Sequence, residues 1–106
     1  MSIEKPKIST AVEKELPLYL QNILWYILEY PKDYQDEFHY FELDVTADEN
    51  GKPMQKINYV YKTPEYQNKY LFSDESPMKI NVVIKVDSSG KLTMMLAGEL
   101  DRIKTL

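Results

Sequence analysis

The chain has 106 residues, 43% of them hydrophobic and 28% charged, a balance that excludes wholesale disorder and supports one globular domain over residues 1–106. No apolar run is long enough to cross a bilayer, and the opening MSIEKPKIST lacks the apolar centre of a secretion signal, so a cytoplasmic protein without membrane contact is expected. The lack of cysteine excludes disulfides, thiolate chemistry and the common zinc frameworks.

The net charge of −4 is unevenly spread. Between Glu29 and Asn50 stand eight carboxylates against the single Lys32, a local charge of −7 that leaves the remaining residues at +3. A field of that sign repels phosphate backbones, which argues against direct nucleic-acid binding and for a protein partner with a basic surface. Nine tyrosines point the same way, since a tyrosine half buries its ring while its hydroxyl stays wet, as at protein interfaces.

In chain order, Lys7 to Val12 alternates Ile8, Thr10 and Val12 against polar neighbours and predicts a short edge strand. Pro17 to Tyr30 predicts the one long helix, with proline at its start and Pro31 closing it. Leu16, Leu20, Ile23, Leu24 and Ile27 form its core face; Gln21, Asn22 and Glu29 mark the back, where Leu18 and Trp25 stand one heptad apart. An acidic loop, Pro31 to Glu37, leads to a strand over Phe38 to Thr46 that faces the core with His39, Phe41, Leu43 and Val45. The turn DENGKP and a strand over Met54 to Lys62 complete a hairpin. Only an odd-numbered loop or a bulge there sets Leu43 opposite Ile57, core against core.

Thr63 to Phe72 has a threonine cap, proline at the first position and Tyr66, Tyr70 and Leu71 at helical spacing, which predicts a short second helix. Met78 to Val86 alternates most cleanly, and the three-residue loop of DSSGK, with Gly90 at positive φ, pairs Val86 with Leu92, Ile84 with Met94 and Val82 with Leu96. A short helical tail from Glu99 to Leu106 ends the reading. The expected class is α+β, in the order β-α-β-β-α-β-β: an antiparallel sheet of four to five strands with one long helix on one face and one short helix.

Chemistry-bearing residues are few. His39, the only histidine, would share the core side of its strand with Phe41 and Leu43, away from Glu42, which reads as a hydrogen-bonded structural histidine. The three glycines are not clustered, so no phosphate-cradling loop can be argued, and no serine has a base nearby. No catalytic residue, metal site or cofactor is expected, and the protein is read as not an enzyme.

Two surfaces remain as candidates. Asp33, Asp36, Glu37, Glu42, Asp44, Asp48 and Glu49, with Tyr40, are either a solvated acidic face or a mimic of nucleic acid whose carboxylates replace phosphates in the basic channel of an enzyme such as a nuclease. Leu18 and Trp25 are either covered by a terminal segment or form an interface for self-association or a target.

Several short motifs carry a resemblance. Glu15-Leu16-Pro17, Leu20-Gln21, Leu24-Trp25, Phe41-Glu42-Leu43, Gln55-Lys56-Ile57, Pro64-Glu65-Tyr66 and Met94-Met95-Leu96 together resemble a small staphylococcal-type family of unknown function. That family occurs in low-GC Gram-positive bacteria and in their phages and mobile elements. The resemblance implies no enzyme activity. By analogy with small acidic phage proteins it implies stoichiometric binding to a host protein, in the manner of an anti-CRISPR inhibitor. The expectation is therefore a small acidic protein-binding module that inhibits a nucleic-acid-handling enzyme. The alternative is an assembly protein that self-associates through its helix.

Overall fold

The computed structural model describes residues 6–29, 38–61 and 67–99. Among these residues the elements run in the order β1 (Lys7–Ile8), α1 (Thr10–Glu15), α2 (Leu18–Glu29), β2 (Phe38–Ala47), β3 (Pro53–Tyr61), β4 (Gln67–Ser73), β5 (Ile80–Val86) and β6 (Leu92–Leu96). The strands form one sheet in the order β1-β6-β5-β2-β3-β4. β1 runs parallel to β6 and every other neighbour is antiparallel, so the sheet is mixed.

This corrects the expected fold of four to five antiparallel strands carrying one long helix. The helix after Pro17 has 12 residues, about three turns. The short helix lies ahead of it, where a strand over Lys7 to Val12 was expected. Only Lys7 and Ile8 pair as strand; Ser9 then caps α1, its hydroxyl accepting the Val12 N–H at 3.2 Å. The expected helix over Thr63 to Phe72 is replaced, in its described part, by β4. There Tyr70 lies opposite Ile57 and Phe72 opposite Gln55, so aromatics two residues apart share a face. Residues 63–66 and the tail beyond Glu99 lie outside the described residues.

The two hairpin loops among the described residues use one device. In Asp48-Glu49-Asn50-Gly51-Lys52 and in Asp87-Ser88-Ser89-Gly90-Lys91 the aspartate N–H donates to the lysine carbonyl and the glycine N–H to the aspartate carbonyl, each at 3.0 Å. Each aspartate Oδ1 accepts two further backbone N–H groups, from Asn50 and Lys52 in the first loop and from Ser89 and Lys91 in the second. Gly51 and Gly90 have φ of 80° and 86°, a left-handed geometry that favours glycine. The odd loop at Gly51 sets Leu43 opposite Ile57, and that at Gly90 sets Ile84 opposite Met94.

One face of the sheet carries the main core. Phe41, Leu43, Ile57, Tyr59, Val82, Ile84 and Met94 are buried together with Leu20, Leu24, Ile27 and Leu28 of α2 and with Val12 and Leu16. Burial on this scale, at roughly 25 cal/mol per Å² of apolar surface, is the main term holding the fold. On the opposite face Val83 and Met95 form a second, smaller buried cluster with Phe38 and Ala97. Among the described residues no helix is long and apolar enough to cross a membrane.

Candidate functional site

The acidic residues fall into three groups. Asp33, Asp36 and Glu37 lie outside the described residues. Tyr40, Glu42 and Asp44 alternate along β2 onto the face of the sheet opposite α2, and all three are exposed. Asp48 and Glu49 sit in the loop that follows.

β2 is an interior strand, so its carboxylates have neighbours on both sides. Asp44 lies opposite Lys56, and Glu42 lies opposite Asn58 on β3 and Asn81 on β5. The Asn58 amide donates to Glu42 Oε1 at 2.9 Å. Following the registers across this face also places Lys69 of β4 and Lys85 of β5 on it. The strands therefore bring two carboxylates and three lysines to one surface, and opposite charges facing across strands stabilise the sheet itself. The Asp48 carboxylate is occupied by the backbone of its own turn.

His39 is fully buried on the helix side of β2. Its Nδ1 lies 2.7 Å from the Tyr59 hydroxyl, and Tyr59 in turn stacks on Phe41 with centroids 4.8 Å apart. The imidazole is thus a polar link inside the core, out of reach of a molecule in solvent.

The helix places the other two candidates differently. Leu18 is 68% exposed, whereas Trp25 is partly buried against the main core. Gln21, expected on the polar back, is buried, and its amide donates at 2.7 Å to the Leu16 carbonyl. The residue that joins Leu18 on the outer face is Tyr26, 69% exposed, with exposed Asn22 between them and exposed Tyr19 beside them. Sequence reasoning missed Tyr26, although 18, 22 and 26 are spaced by four and lie on one stripe of a helix. No charged residue occurs from Leu18 to Leu28. Beside Leu18 an open groove of about 450 Å³ runs between α1 and α2, lined by Ile8, Leu16, Pro17 and Gln21 and by the charged Glu13, Lys14 and Glu15. The Tyr19 hydroxyl donates to Asp74 at 2.5 Å, tying the first turn of α2 to the segment between β4 and β5. That bond, with some burial, pushes the Tyr19 phenol up to about 12.

No family model matches the chain, and no curated protein or solved structure matches it.

Proposed function

We propose that this chain is a non-enzymatic protein-binding module that engages its partner through the outer face of α2. The observation that carries the reading is the exposure of Leu18 and Tyr26 in a run, Leu18 to Leu28, that holds no charged residue. Single exposed apolar residues are ordinary, but the outer face of a helix normally carries charged side chains. Here four neighbouring uncharged residues, two of them tyrosines, occupy it. Leucine and tyrosine in contiguity suit a surface that is covered part of the time. The burial of the only histidine beside Tyr59 supports the non-enzymatic half of the reading.

Nucleic-acid mimicry draws less from the geometry. Glu42 and Asp44 share their face with Lys56, Lys69 and Lys85, and a basic channel would meet those lysines as well as the carboxylates.

Photo-crosslinking in the natural host tests the choice. Benzoylphenylalanine is introduced in place of Tyr26, Glu49 or Leu71, and adducts are identified by mass spectrometry. Adducts concentrated at position 26, with any protein, are the expected result. Adducts at position 49 alone would move the interface to the acidic loop, and no adducts at any position would overturn the reading.

A further inference from the structure

We infer that the partner seated on the outer face of α2 is an amphipathic, basic helix of another protein, with an apolar side chain in the groove beside Leu18 and lysine or arginine over an acidic border. The inference rests on the protein-binding reading above and names the chemistry of its partner. Two features select that chemistry, one apolar and one electrostatic.

The apolar feature is a groove with a ridge beside it. The groove of about 450 Å³ between α1 and α2 has Ile8, Leu16 and Pro17 in its walls and opens at Leu18, which is 68% exposed. Leu18, Asn22 and Tyr26 continue from it as a row of exposed residues spaced by four along the helix. A row of that spacing is the ridge that packs into the surface of a second helix, at a crossing angle of about 50°. A helix lying on the row can turn one apolar side chain into the space beside Leu18, as anchor residues do when a helix fills a groove.

The electrostatic feature is the border. Exposed Glu13 and Glu15 flank Lys14 along the groove, Asp74 accepts the Tyr19 hydroxyl at the first turn of α2, and Glu29 follows Tyr26 by three residues at the other end. These four carboxylates stand against one lysine, since Lys7 alternates with Ile8 and lies on the other side of the sheet. An apolar centre with an acidic rim is complemented by an apolar anchor with a basic rim, and the charges act mainly on capture and orientation. A second copy of this chain would bring the same acidic border against itself, which makes it the poorer occupant. The sheet face of Glu42 and Asp44 differs, because Lys56, Lys69 and Lys85 share it.

Designed peptides test the assignment. A leucine–lysine peptide patterned as an amphipathic helix is titrated into the isotope-labelled full chain and followed by NMR. A leucine–glutamate peptide of the same pattern and a serine–lysine peptide of the same charge serve as controls. Amide shifts are expected to gather at residues 13–18, 22 and 26, with a dissociation constant on the order of 10–100 µM, and either control to bind at least tenfold more weakly. Glu13→Lys combined with Glu15→Lys, its fold checked by circular dichroism, should weaken the leucine–lysine peptide at least fivefold and strengthen the leucine–glutamate one. Leu18→Ala, at an exposed position, should weaken the leucine–lysine peptide with no change of charge. Equal binding of the serine–lysine peptide, shifts centred on Asp48 and Glu49, or no binding at all overturns the inference. So does a leucine–glutamate peptide that binds as well as the leucine–lysine one, because the border then selects nothing. In each of these cases crosslinks from position 26 to a host protein would leave the binding-module reading standing.

Discussion

The side chain of Gln55 pairs with the backbone of Met78 as a neighbouring strand would: its Oε1 accepts the Met78 N–H at 2.8 Å and its Nε2 donates to the Met78 carbonyl at 3.0 Å. The same Nε2 lies within hydrogen-bonding distance of the Asp44 and Lys56 carbonyls. Gln55 is fully buried, so these bonds replace water that cannot reach it. One carboxamide thus fixes the approach to β5 against β3.

Replacing it should be costly. Gln55→Leu fills the space but leaves the Met78 N–H and carbonyl without their partner, and each unmet buried group costs about 1–3 kcal/mol. The expected loss is ~2–4 kcal/mol, read as a lower urea midpoint with an unchanged slope. A loss below half a kcal/mol would mean that water or a shifted backbone takes over both bonds.

The His39–Tyr59 link makes a milder prediction. Tyr59→Phe keeps the ring that stacks on Phe41 and removes the hydroxyl 2.7 Å from His39 Nδ1. The expected cost is about 1–2 kcal/mol by chemical denaturation, with the fold retained. His39→Ala removes the buried ring as well and should cost more, since a cavity is added to the lost bond.

The two loops should respond alike to substitution at glycine. Gly51→Ala and Gly90→Ala meet no atom within 4 Å of the added carbon, so only the positive φ opposes them. Each should lower stability by ~1 kcal/mol. In the second loop the Ser89 hydroxyl and the backbone N–H groups of Lys91 and Ser89 hold the Asp87 carboxyl below its ordinary value. A depressed value contributes stability above the unfolded carboxylate range and loses it as pH falls through the folded value. An Asp87→Asn protein should therefore show a shallower acid limb in its stability–pH curve.

Tyr19 has the opposite sign. Its phenol is raised to about 12 by the bond to Asp74, so the pair contributes fully below the ordinary tyrosine range and is lost as pH rises through the folded value. The pair is largely solvent-exposed, and its contribution to stability is small. The titration itself is the sharper measurement: followed by the Tyr19 ring signals in NMR, it should return toward 10 in Asp74→Asn.

Where periodicity and turn chemistry agreed, the sequence was legible. Val82, Ile84 and Val86 alternate, Gly90 permits one loop geometry, and the partners on β6 follow. Leu43 opposite Ile57 could be read from the requirement that core meet core. β4 was misread because Thr63-Pro64 and Tyr66-Tyr70 imitate a helix start, while the alternation of Tyr70 and Phe72 that suits an edge strand on β3 is only two residues long. The Ser9 cap was hidden by the alternation of Ile8, Thr10 and Val12. The back of α2 could be seen to carry one charge, at Glu29, but which of Leu18, Trp25 and Tyr26 stays exposed depends on where the sheet lies beneath the helix. The neutralising lysines opposite β2 depend on register across four strands, which local pattern does not contain.

β1 has a consequence for the order of assembly. Among the described residues it pairs only with β6, and the Ser9 N–H donates to the Met94 carbonyl while the Ser9 hydroxyl reaches Glu99, 90 residues later. During synthesis the N-terminal strand and the helix it introduces have no docking place until the final hairpin has been made. Closure of so long a loop is slow. Until then the apolar side of the sheet lies uncovered at that end, and the nascent chain is open to chaperones or to mispairing for most of its elongation.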